Sequence, residues 1–270
     1  MIEIHIDPTL ASLGPFQITW HGLFSLVAIV AGVALGASEF RRKGLSEAIV
    51  FDLAIWALPA GIIGARLAHV VDHWAYYLAH PATILAVNEG GLSIYGGLIG
   101  GLVGAGVCIK LRSLPFWAIV DAAAPAMLLG QAIGRLGCLV NGDAWGSPAD
   151  LPWAVVYTHP QAALPSSLLG VATHPYPVYE MVWVLLMLAG LWRLRGRLPE
   201  GSLFCLYAIG YSAGRLSLSV FRQETAVLGD LQQAQVIALL VIVVAVPFLM
   251  HRIVKGRGQY RSQSGLSGGS

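Results

Sequence analysis

Seven apolar segments constrain the fold of this chain more than any other feature of its sequence. Each is long enough to cross a bilayer as a helix, which takes about 20 mainly apolar residues. Their approximate limits are 18–40, 48–71, 92–111, 115–134, 177–194, 202–220 and 232–250. Only 11% of the residues are charged, about half the fraction found in a typical soluble domain. We therefore predict an all-α polytopic membrane protein with seven transmembrane helices.

The placement of the basic residues indicates how these segments are oriented. Most of the 16 lysines and arginines follow the first, third, fifth and seventh segments. They are Arg41, Arg42, Lys43, Lys110, Arg112, Arg193, Arg195, Arg197, Arg252, Lys255, Arg257 and Arg261. Because cytoplasmic loops are enriched in lysine and arginine, we predict that the N-terminus is outside and the C-terminus is cytoplasmic. We expect one membrane domain over residues 1–255 and a disordered cytoplasmic tail over residues 256–270.

Four arginines break this pattern, since they lie within or just beyond the outer half of a span. They are Arg66, Arg135, Arg215 and Arg222. A cation at the centre of a membrane helix costs about 2.5–3.5 kcal/mol on the insertion scale, so four cations at one depth indicate a shared anion. The alternative is that each arginine snorkels to the outer headgroups or pairs with a nearby carboxylate. The carboxylates in question are Asp72, Asp143 and Glu224.

The stretch from Gly134 to Gly146 is the least typical part of the chain. It follows an apolar run and combines Arg135, Asn141 and Asp143 with four glycines. Glycine permits positive φ and a close approach of the backbone to a ligand. An arginine at the edge of an apolar segment needs an anion. We therefore interpret this stretch as a site for a phosphate-bearing ligand at a membrane surface.

Polar residues recur at helical spacing in the sixth predicted span. Tyr211, Arg215, Ser219 and Arg222 lie at i, i+4, i+8 and i+11, so they share one helical face. Lipid offers such a face no hydrogen-bonding partner, and we expect it to face the bundle interior or a wet cavity. The alternative is a stripe that only joins helices together.

Two other spans carry patterns that favour a structural explanation. In the second span, Arg66, His69 and His73 form a similar stripe, but intramembrane histidines of this kind more often serve as structural hydrogen-bonding groups. In the third span, glycines at four-residue spacing between Gly96 and Gly104 predict close packing against another helix.

The region between the fourth and fifth spans, residues 141–176, is rich in proline and tryptophan. It is too long for a plain connection, so we expect an outer loop or helical region that lies on the membrane or shapes a substrate entrance. Glu180 follows it, either to complement the helix dipole or to take part in the site. The three cysteines lack metal-ligand spacing. Nothing in the sequence predicts a metal, another cofactor or a nucleic-acid partner.

Taken in order, these motifs resemble those of the bacterial phosphatidylglycerol:prolipoprotein diacylglyceryl transferases, over nearly the whole chain. The most specific match is residues 134–154, which are similar to the family signature in order and spacing. The other matches are Gly14-Pro15, Trp20-His21-Gly22, Gly64-Ala65-Arg66, the run from Gly91 to Gly97, His174-Pro175, Tyr179-Glu180, Tyr211 and Gly214-Arg215. The resemblance implies a multi-pass protein of the bacterial plasma (inner) membrane whose active site faces outward.

The chain departs from the family pattern at five positions. Tyr95 stands where the family usually has histidine, His21 where it has tyrosine, and Cys138 where it has asparagine. Asp143 and Ser219 each replace a glutamate. These departures favour an alternative function, in which a non-catalytic homologue binds phospholipid or a lipoprotein signal peptide.

The resemblance also implies a reaction. The family transfers a diacylglyceryl group from phosphatidylglycerol to the lipobox cysteine thiol of a prolipoprotein signal peptide, and the products are a thioether and glycerol-1-phosphate. Arg135 and Arg215 are then the candidates for holding the phosphate, since a guanidinium can meet two phosphate oxygens at once. Further expected contacts to phosphatidylglycerol are Arg66, Asn141, Asp143, Gly146, Tyr211 and Arg222.

The thiol needs a base or a positive field to react as thiolate. We predict His21 as the base, with Tyr95 as its hydrogen-bond partner. Cys138 is expected to be a packing residue and not a covalent nucleophile. A third class of function, an anion transporter or channel, also uses intramembrane arginines. The paired interrupted helices and inverted halves typical of transporters are not detectable in this sequence.

Overall fold

The computed structural model describes residues 1–14, 16–86, 91–222, 226–228 and 231–266. Pro15 and Glu224, which the sequence analysis singled out, lie outside the described residues, as do residues 267–270 of the predicted tail. The α-helices of the described chain are α1 Trp20–Arg42, α2 Ala48–Asp72, α3 Trp74–Ala79, α4 Ile94–Leu111, α5 Phe116–Asn141, α6 Tyr176–Leu194, α7 Ser202–Leu218 and α8 Gln233–Leu266. The chain divides into two compact units, Met1–Leu35 with Val120–Ser270, and Gly36–Ile119.

Most of the predicted spans are present as long apolar helices. Within the described residues, six helices are long and apolar enough to cross a membrane. They are Trp20–Arg42, Ala48–Asp72, Phe116–Asn141, Tyr176–Leu194, Ser202–Phe221 and Gln233–Lys255. The predicted third span, residues 92–111, forms the shorter apolar helix α4. The chain is thus a mainly helical multi-pass membrane protein, and a seventh crossing stays a prediction.

Small β-sheets correct the expectation of an all-α chain. In the described chain, β1 Ile2–Ile4 pairs in parallel with β4 Val155–Tyr157, which pairs in turn with β5 Ala172–Thr173 in the antiparallel sense. Two hairpins are formed by β2 Thr9–Leu13 with β3 Phe16–Thr19, and by β6 Ala226–Leu228 with β7 Leu231–Gln232. The region 141–176 is therefore partly ordered by strand pairing, which gives its backbone groups hydrogen-bond partners.

In the first unit, a buried carboxylate joins α5 to the start of α7. Asp121 is 2% exposed, and it accepts hydrogen bonds from the backbone N–H groups of Gly201 at 2.8 Å and Phe204 at 2.9 Å. It thereby satisfies two donors that a helix N-terminus leaves without partners. Arg135 on α5 follows Asp121 by 14 residues, as Arg215 follows Gly201. At about 1.5 Å per residue, both arginines lie about 21 Å along their helices from this junction, so they reach the same level.

The core between these helices is apolar. Leu128 on α5, Val184 on α6 and Leu203 and Tyr207 on α7 are all buried in one cluster. These buried side chains pack the three helices against one another, below the level of the arginines.

In the second unit, α2 and α4 approach each other through glycines. A Cβ atom added at Gly64 would collide with the carbonyl oxygen of Gly96, and one at Gly100 would collide with the carbonyl oxygen of Ala60. One at Gly104 would strike the carbonyl oxygen of Trp56. The prediction that the spaced glycines serve close helix packing is confirmed, because larger residues would force the backbones apart.

Candidate active site

Two arginines of the first unit share one buried carboxylate. Arg135 Nη2 lies 2.6 Å from Glu180 Oε2, and Arg215 Nη1 lies 2.8 Å from Glu180 Oε1. Glu180 is only 4% exposed, and a buried charge is tolerated only when it is paired. In the described contacts the shared anion is the carboxylate of Glu180 on α6, which was not among the carboxylates suggested as alternative partners. That the arginines share a phosphate-bearing ligand stays a prediction.

Tyr176 completes this group. Its hydroxyl donates to Glu180 Oε1 at 3.1 Å and accepts from Arg215 Nη1 at 2.8 Å. Because Tyr176 and Glu180 are one helical turn apart on α6, a single element positions both partners of Arg215. The guanidinium of Arg222 lies 5.4 Å from the centre of the Tyr176 ring, so a third predicted arginine lies at the edge of the same group.

A cavity of about 200 Å³ opens beside the paired arginines. Pockets for drug-sized molecules measure about 300–1,000 Å³, so this space suits a headgroup better than a whole lipid. Four residues predicted from the sequence line it, namely His21, Arg135, Tyr211 and Arg215. Gln131 and Trp183 also line it, without having been predicted from the sequence. Glu180 lines it too, and a part in the site was one of its two expected roles. The signal for Glu180 was present, since a carboxylate inside an apolar span needs a partner.

The second part of the site is formed where α1 meets residues 134–146, which we call the signature stretch. His21 Nδ1 lies 2.9 Å from Asp143 Oδ2 and 3.9 Å from Cys138 Sγ. Asn141 Nδ2 donates to the same Asp143 oxygen at 3.1 Å. Burial by itself would raise the pKa of Asp143, but hydrogen bonds from neighbours, above all His21, hold that pKa below its ordinary value. The carboxylate therefore stays ionised at neutral pH.

Glycines of the signature stretch allow this junction to close. A Cβ atom at Gly137 would lie 3.1 Å from both His21 Cα and Phe24 Cβ, so α1 and α5 touch through this position. Gly142 has a φ of 78°, which glycine adopts without strain and which turns the chain out of α5. The hydroxyl of Tyr157 on β4 donates to the Leu139 carbonyl oxygen at 2.8 Å and so caps the end of the helix.

Gly146 anchors the far end of the stretch. A Cβ atom there would lie 2.5 Å from the carbonyl oxygen of His174 and 3.0 Å from that of Phe221. Next to it, Ser147 N donates to Phe221 O at 2.8 Å, and His174 N donates to Ser147 O at 3.0 Å. Gly146 thus packs closely against His174 and Phe221, and its predicted contact with phosphatidylglycerol stays a prediction.

The polar stripe of the sixth predicted span divides between two roles. Tyr211 and Arg215 line the cavity. Ser219 is 1% exposed, donates to Leu216 O at 3.0 Å, and accepts from Gln235 Nε2 of α8 at 2.7 Å. Ser219 thus lies in the interior against α8, while Tyr211 and Arg215 face the cavity, so these three residues agree with the expectation of a face turned to the bundle interior or a wet cavity. The two roles differ because α7 ends at Leu218 and a 3₁₀ turn follows it.

Arg66 and Tyr95 belong to the second unit. The Arg66 guanidinium donates to the carbonyl oxygens of Thr83, Ile84 and Gly91 at 2.5, 2.8 and 3.0 Å. These contacts favour a structural role, in which the arginine holds Thr83 and Ile84 near Gly91. Tyr95 lies in the first turn of α4 and is 45% exposed. The phosphate contact of Arg66 and the pairing of Tyr95 with His21 stay predictions.

His69 stacks on His73 with ring centroids 4.3 Å apart, and it also meets the edge of Tyr77. His73 Nδ1 lies 3.1 Å from the carbonyl oxygen of His69. Both histidines therefore have the structural partners that the sequence analysis favoured.

Comparisons with known proteins show the family of this chain. The sequence pattern of the family described as prolipoprotein diacylglyceryl transferase matches residues 8–251. A relative from Synechococcus elongatus is 37% identical over 87% of this chain and 83% of its own length, and one from Dehalococcoides mccartyi is 36% identical over 93% and 96%. A relative from Lysinibacillus sphaericus is 34% identical over 94% and 95%. All three are named phosphatidylglycerol–prolipoprotein diacylglyceryl transferase. The chain therefore belongs to the prolipoprotein diacylglyceryl transferase family.

Proposed function

We propose that this protein transfers the diacylglyceryl group of phosphatidylglycerol to the lipobox cysteine thiol of prolipoprotein signal peptides. A thioether forms and glycerol-1-phosphate leaves. The observation that carries the proposal is the pairing of Arg135 and Arg215 on Glu180 at the wall of a headgroup-sized cavity, in a chain of this family.

The charges of this group suit a phosphodiester. Two guanidiniums and one carboxylate leave a net charge of +1, which matches the single negative charge of phosphatidylglycerol. A guanidinium has five N–H donors, so the contact of Arg135 with Glu180 leaves donors for a phosphate oxygen. Since Glu180 holds both arginines before substrate binds, little reorganisation is needed when the leaving phosphate gains charge. A preorganised donor of this kind contributes about 2.7–4 kcal/mol to the transition state.

The acceptor thiol must lose its proton for the carbon–sulfur bond to form. The cluster of His21, Cys138 and Asp143 is the part of the described site that can take part in this step, since His21 and Cys138 line the cavity. Asn141 donates a hydrogen bond to Asp143, whose carboxylate contacts His21, so the two residues fix the position of His21 at the cavity.

We further propose seven crossings of the bacterial plasma (inner) membrane, with α4 as the third, the N-terminus outside and the active site toward the outer face. Helix α6 supports this orientation, because Glu180 lies near its start and Arg193 lies in its last turn. Basic residues favour the cytoplasmic side, which leaves the end that carries the site on the outside.

Complementation tests the proposed function. A bacterium depleted of its own transferase would express this chain, and the lipid attached to a reporter lipoprotein would be identified by mass spectrometry. We expect growth and a thioether-linked diacylglyceryl group. A folded, membrane-inserted protein that gives neither would overturn the proposal and leave the non-catalytic homologue, whose binding of phosphatidylglycerol would then be measured directly.

A further inference from the structure

Three side chains of metal-ligand type lie close together where the start of α1 meets the end of α5. They are His21 at the start of α1, Cys138 in the last turn of α5, and Asp143 just beyond that helix. One ligand atom from each lies within 4.8 Å of the other two. This arrangement is not apparent from the sequence, because His21 precedes Cys138 by 117 residues.

Two of the three ligand-atom separations are close to those of a tetrahedral zinc site, and the third is at most 4.8 Å. Zinc binds sulfur at about 2.3 Å and nitrogen or oxygen at about 2.0–2.2 Å, so neighbouring ligand atoms lie roughly 3.3–3.6 Å apart. Here His21 Nδ1 is 2.9 Å from Asp143 Oδ2 and 3.9 Å from Cys138 Sγ. A shift of less than 1 Å in each of these two distances, about the range of a side-chain adjustment, would bring both into that interval.

We propose that His21, Cys138 and Asp143 bind one zinc ion and leave its fourth position open. Three protein ligands with one open position is the arrangement typical of catalytic zinc, whereas structural sites use four protein ligands. His21 and Cys138 line the cavity that also holds Arg135 and Arg215. The open position therefore faces the space in which the phosphodiester is expected.

The charges of the neighbouring side chains are compatible with a bound zinc ion. A thiolate from Cys138 and the carboxylate of Asp143 together neutralise Zn²⁺, so the centre adds no charge to the arginine group beside it. Arg135 Nη1 lies 3.7 Å from Cys138 Sγ, so a guanidinium already faces the sulfur that would bind the ion. Asn141 donates to the Asp143 carboxylate at 3.1 Å, and such an outer hydrogen bond typically fixes the orientation of a metal ligand.

The three side chains are all ligand types found at zinc sites, namely an imidazole nitrogen, a thiolate sulfur and a carboxylate oxygen. The two cysteines elsewhere in the chain, Cys108 and Cys205, have no such neighbours in the described residues.

The role of the ion in catalysis rests on the proposed function. The lipobox thiol would occupy the open position and lose its proton to water, since a thiol that binds zinc is deprotonated. The sulfur electron pair then forms the bond to the glyceryl carbon. The carbon–oxygen bond to phosphate breaks, and its electron pair leaves on the oxygen of glycerol-1-phosphate. In this scheme His21 is a metal ligand and not a general base.

Metal content and cobalt spectroscopy of the full chain in detergent test the site without reference to activity. We expect one zinc ion per chain, and after replacement by Co²⁺ a thiolate-to-cobalt charge-transfer band in the near ultraviolet. Cys138→Ser should lose the band, and Asp143→Asn should lose stoichiometric metal. Cys205→Ser, which changes a buried cysteine outside the cluster, should retain both. Trace metal and a featureless cobalt spectrum in the wild-type chain would overturn the proposal whatever the variants do.

Chelation separates this proposal from the proposed function. We expect that removing zinc abolishes lipid transfer and that added zinc restores it. Full transfer by the metal-free chain would overturn the zinc proposal but not the transferase function. Stoichiometric metal in a chain that never transfers lipid would leave the site standing and overturn the transferase function.

Discussion

Arg135 and Glu180 form an ion pair in which Nη2 and Oε2 lie 2.6 Å apart, at a depth where the glutamate is 4% exposed. The other oxygen of Glu180 holds Arg215 at 2.8 Å. One carboxylate therefore sets the separation of the two cations before any substrate arrives. The group keeps an excess positive charge, which a phosphodiester can neutralise.

Replacing Glu180 by Gln should release both arginines. The amide keeps the shape of the side chain but removes its charge, and breaking a buried ion pair costs about 3–5 kcal/mol. We expect a lower Tm and loss of lipid transfer, measured by thermal unfolding in detergent and by mass spectrometry of a reporter lipoprotein. Glu47→Gln is the matched control, because Glu47 pairs with Arg41 at an exposed site where such pairs contribute about 0–1 kcal/mol. Equal effects of the two changes would argue against the role of Glu180.

Conservative changes of the arginines test phosphate binding. Lysine keeps the charge of Arg135 or Arg215 but loses the planar fork that meets two oxygens. We expect each substitution to reduce kcat/KM for phosphatidylglycerol by roughly 10²–10³-fold, the loss typical of one preorganised donor. Arg193→Lys, at the opposite end of α6, should retain wild-type transfer. Unchanged kinetics in Arg135→Lys and Arg215→Lys would contradict the phosphate assignment.

Gly146→Ala tests the anchoring of the signature stretch. The added Cβ would lie 2.5 Å from the carbonyl oxygen of His174, and this backbone atom can move only if the loop moves. We expect a reduced Tm together with reduced transfer. Gly190→Ala provides the comparison, since a Cβ there meets nothing within 4 Å and alanine favours a helix by up to about 1 kcal/mol. A wild-type Tm for Gly146→Ala would show that the loop does not depend on this close approach.

Asp121→Ala should act on the site from the far ends of α5 and α7. It removes the acceptor of two backbone N–H groups, and each buried donor without a partner costs about 1–3 kcal/mol. We expect a lower Tm and weaker transfer, both partly rescued by Asp121→Asn, which retains one acceptor oxygen. Asp52→Ala, which removes the partner of the half-exposed Arg112, should change Tm much less. Transfer that stays intact while Tm falls would separate helix capping from the alignment of Arg135 and Arg215.

Local features of the sequence predicted most of the helices and the convergence of Arg135 with Arg215. Length, hydropathy and the placement of cations are properties of single segments, so they can be read from the sequence without knowledge of packing. The choice of Glu180 as partner depends on how far α6 is shifted along its neighbours, which segment patterns do not encode. The same holds for His21 and Cys138, whose contact joins positions 117 residues apart.

The sheets illustrate the same limit. β1 pairs with β4, in which Ile2 lies opposite Val155. Each strand is only 3 residues long, too short to show a clear alternation of apolar and polar residues. Their pairing depends on a tertiary contact, which a local sequence pattern does not predict.

This pairing also constrains how the protein is made. β1 leaves the ribosome before its partner, which follows about 150 residues later at Val155–Tyr157. At typical synthesis rates of about 5–20 residues per second, β1 waits for several seconds or more with an open edge. The sheet can close only after α5 has been synthesised, so β1 finds its partner later than the helix that carries Arg135 is made.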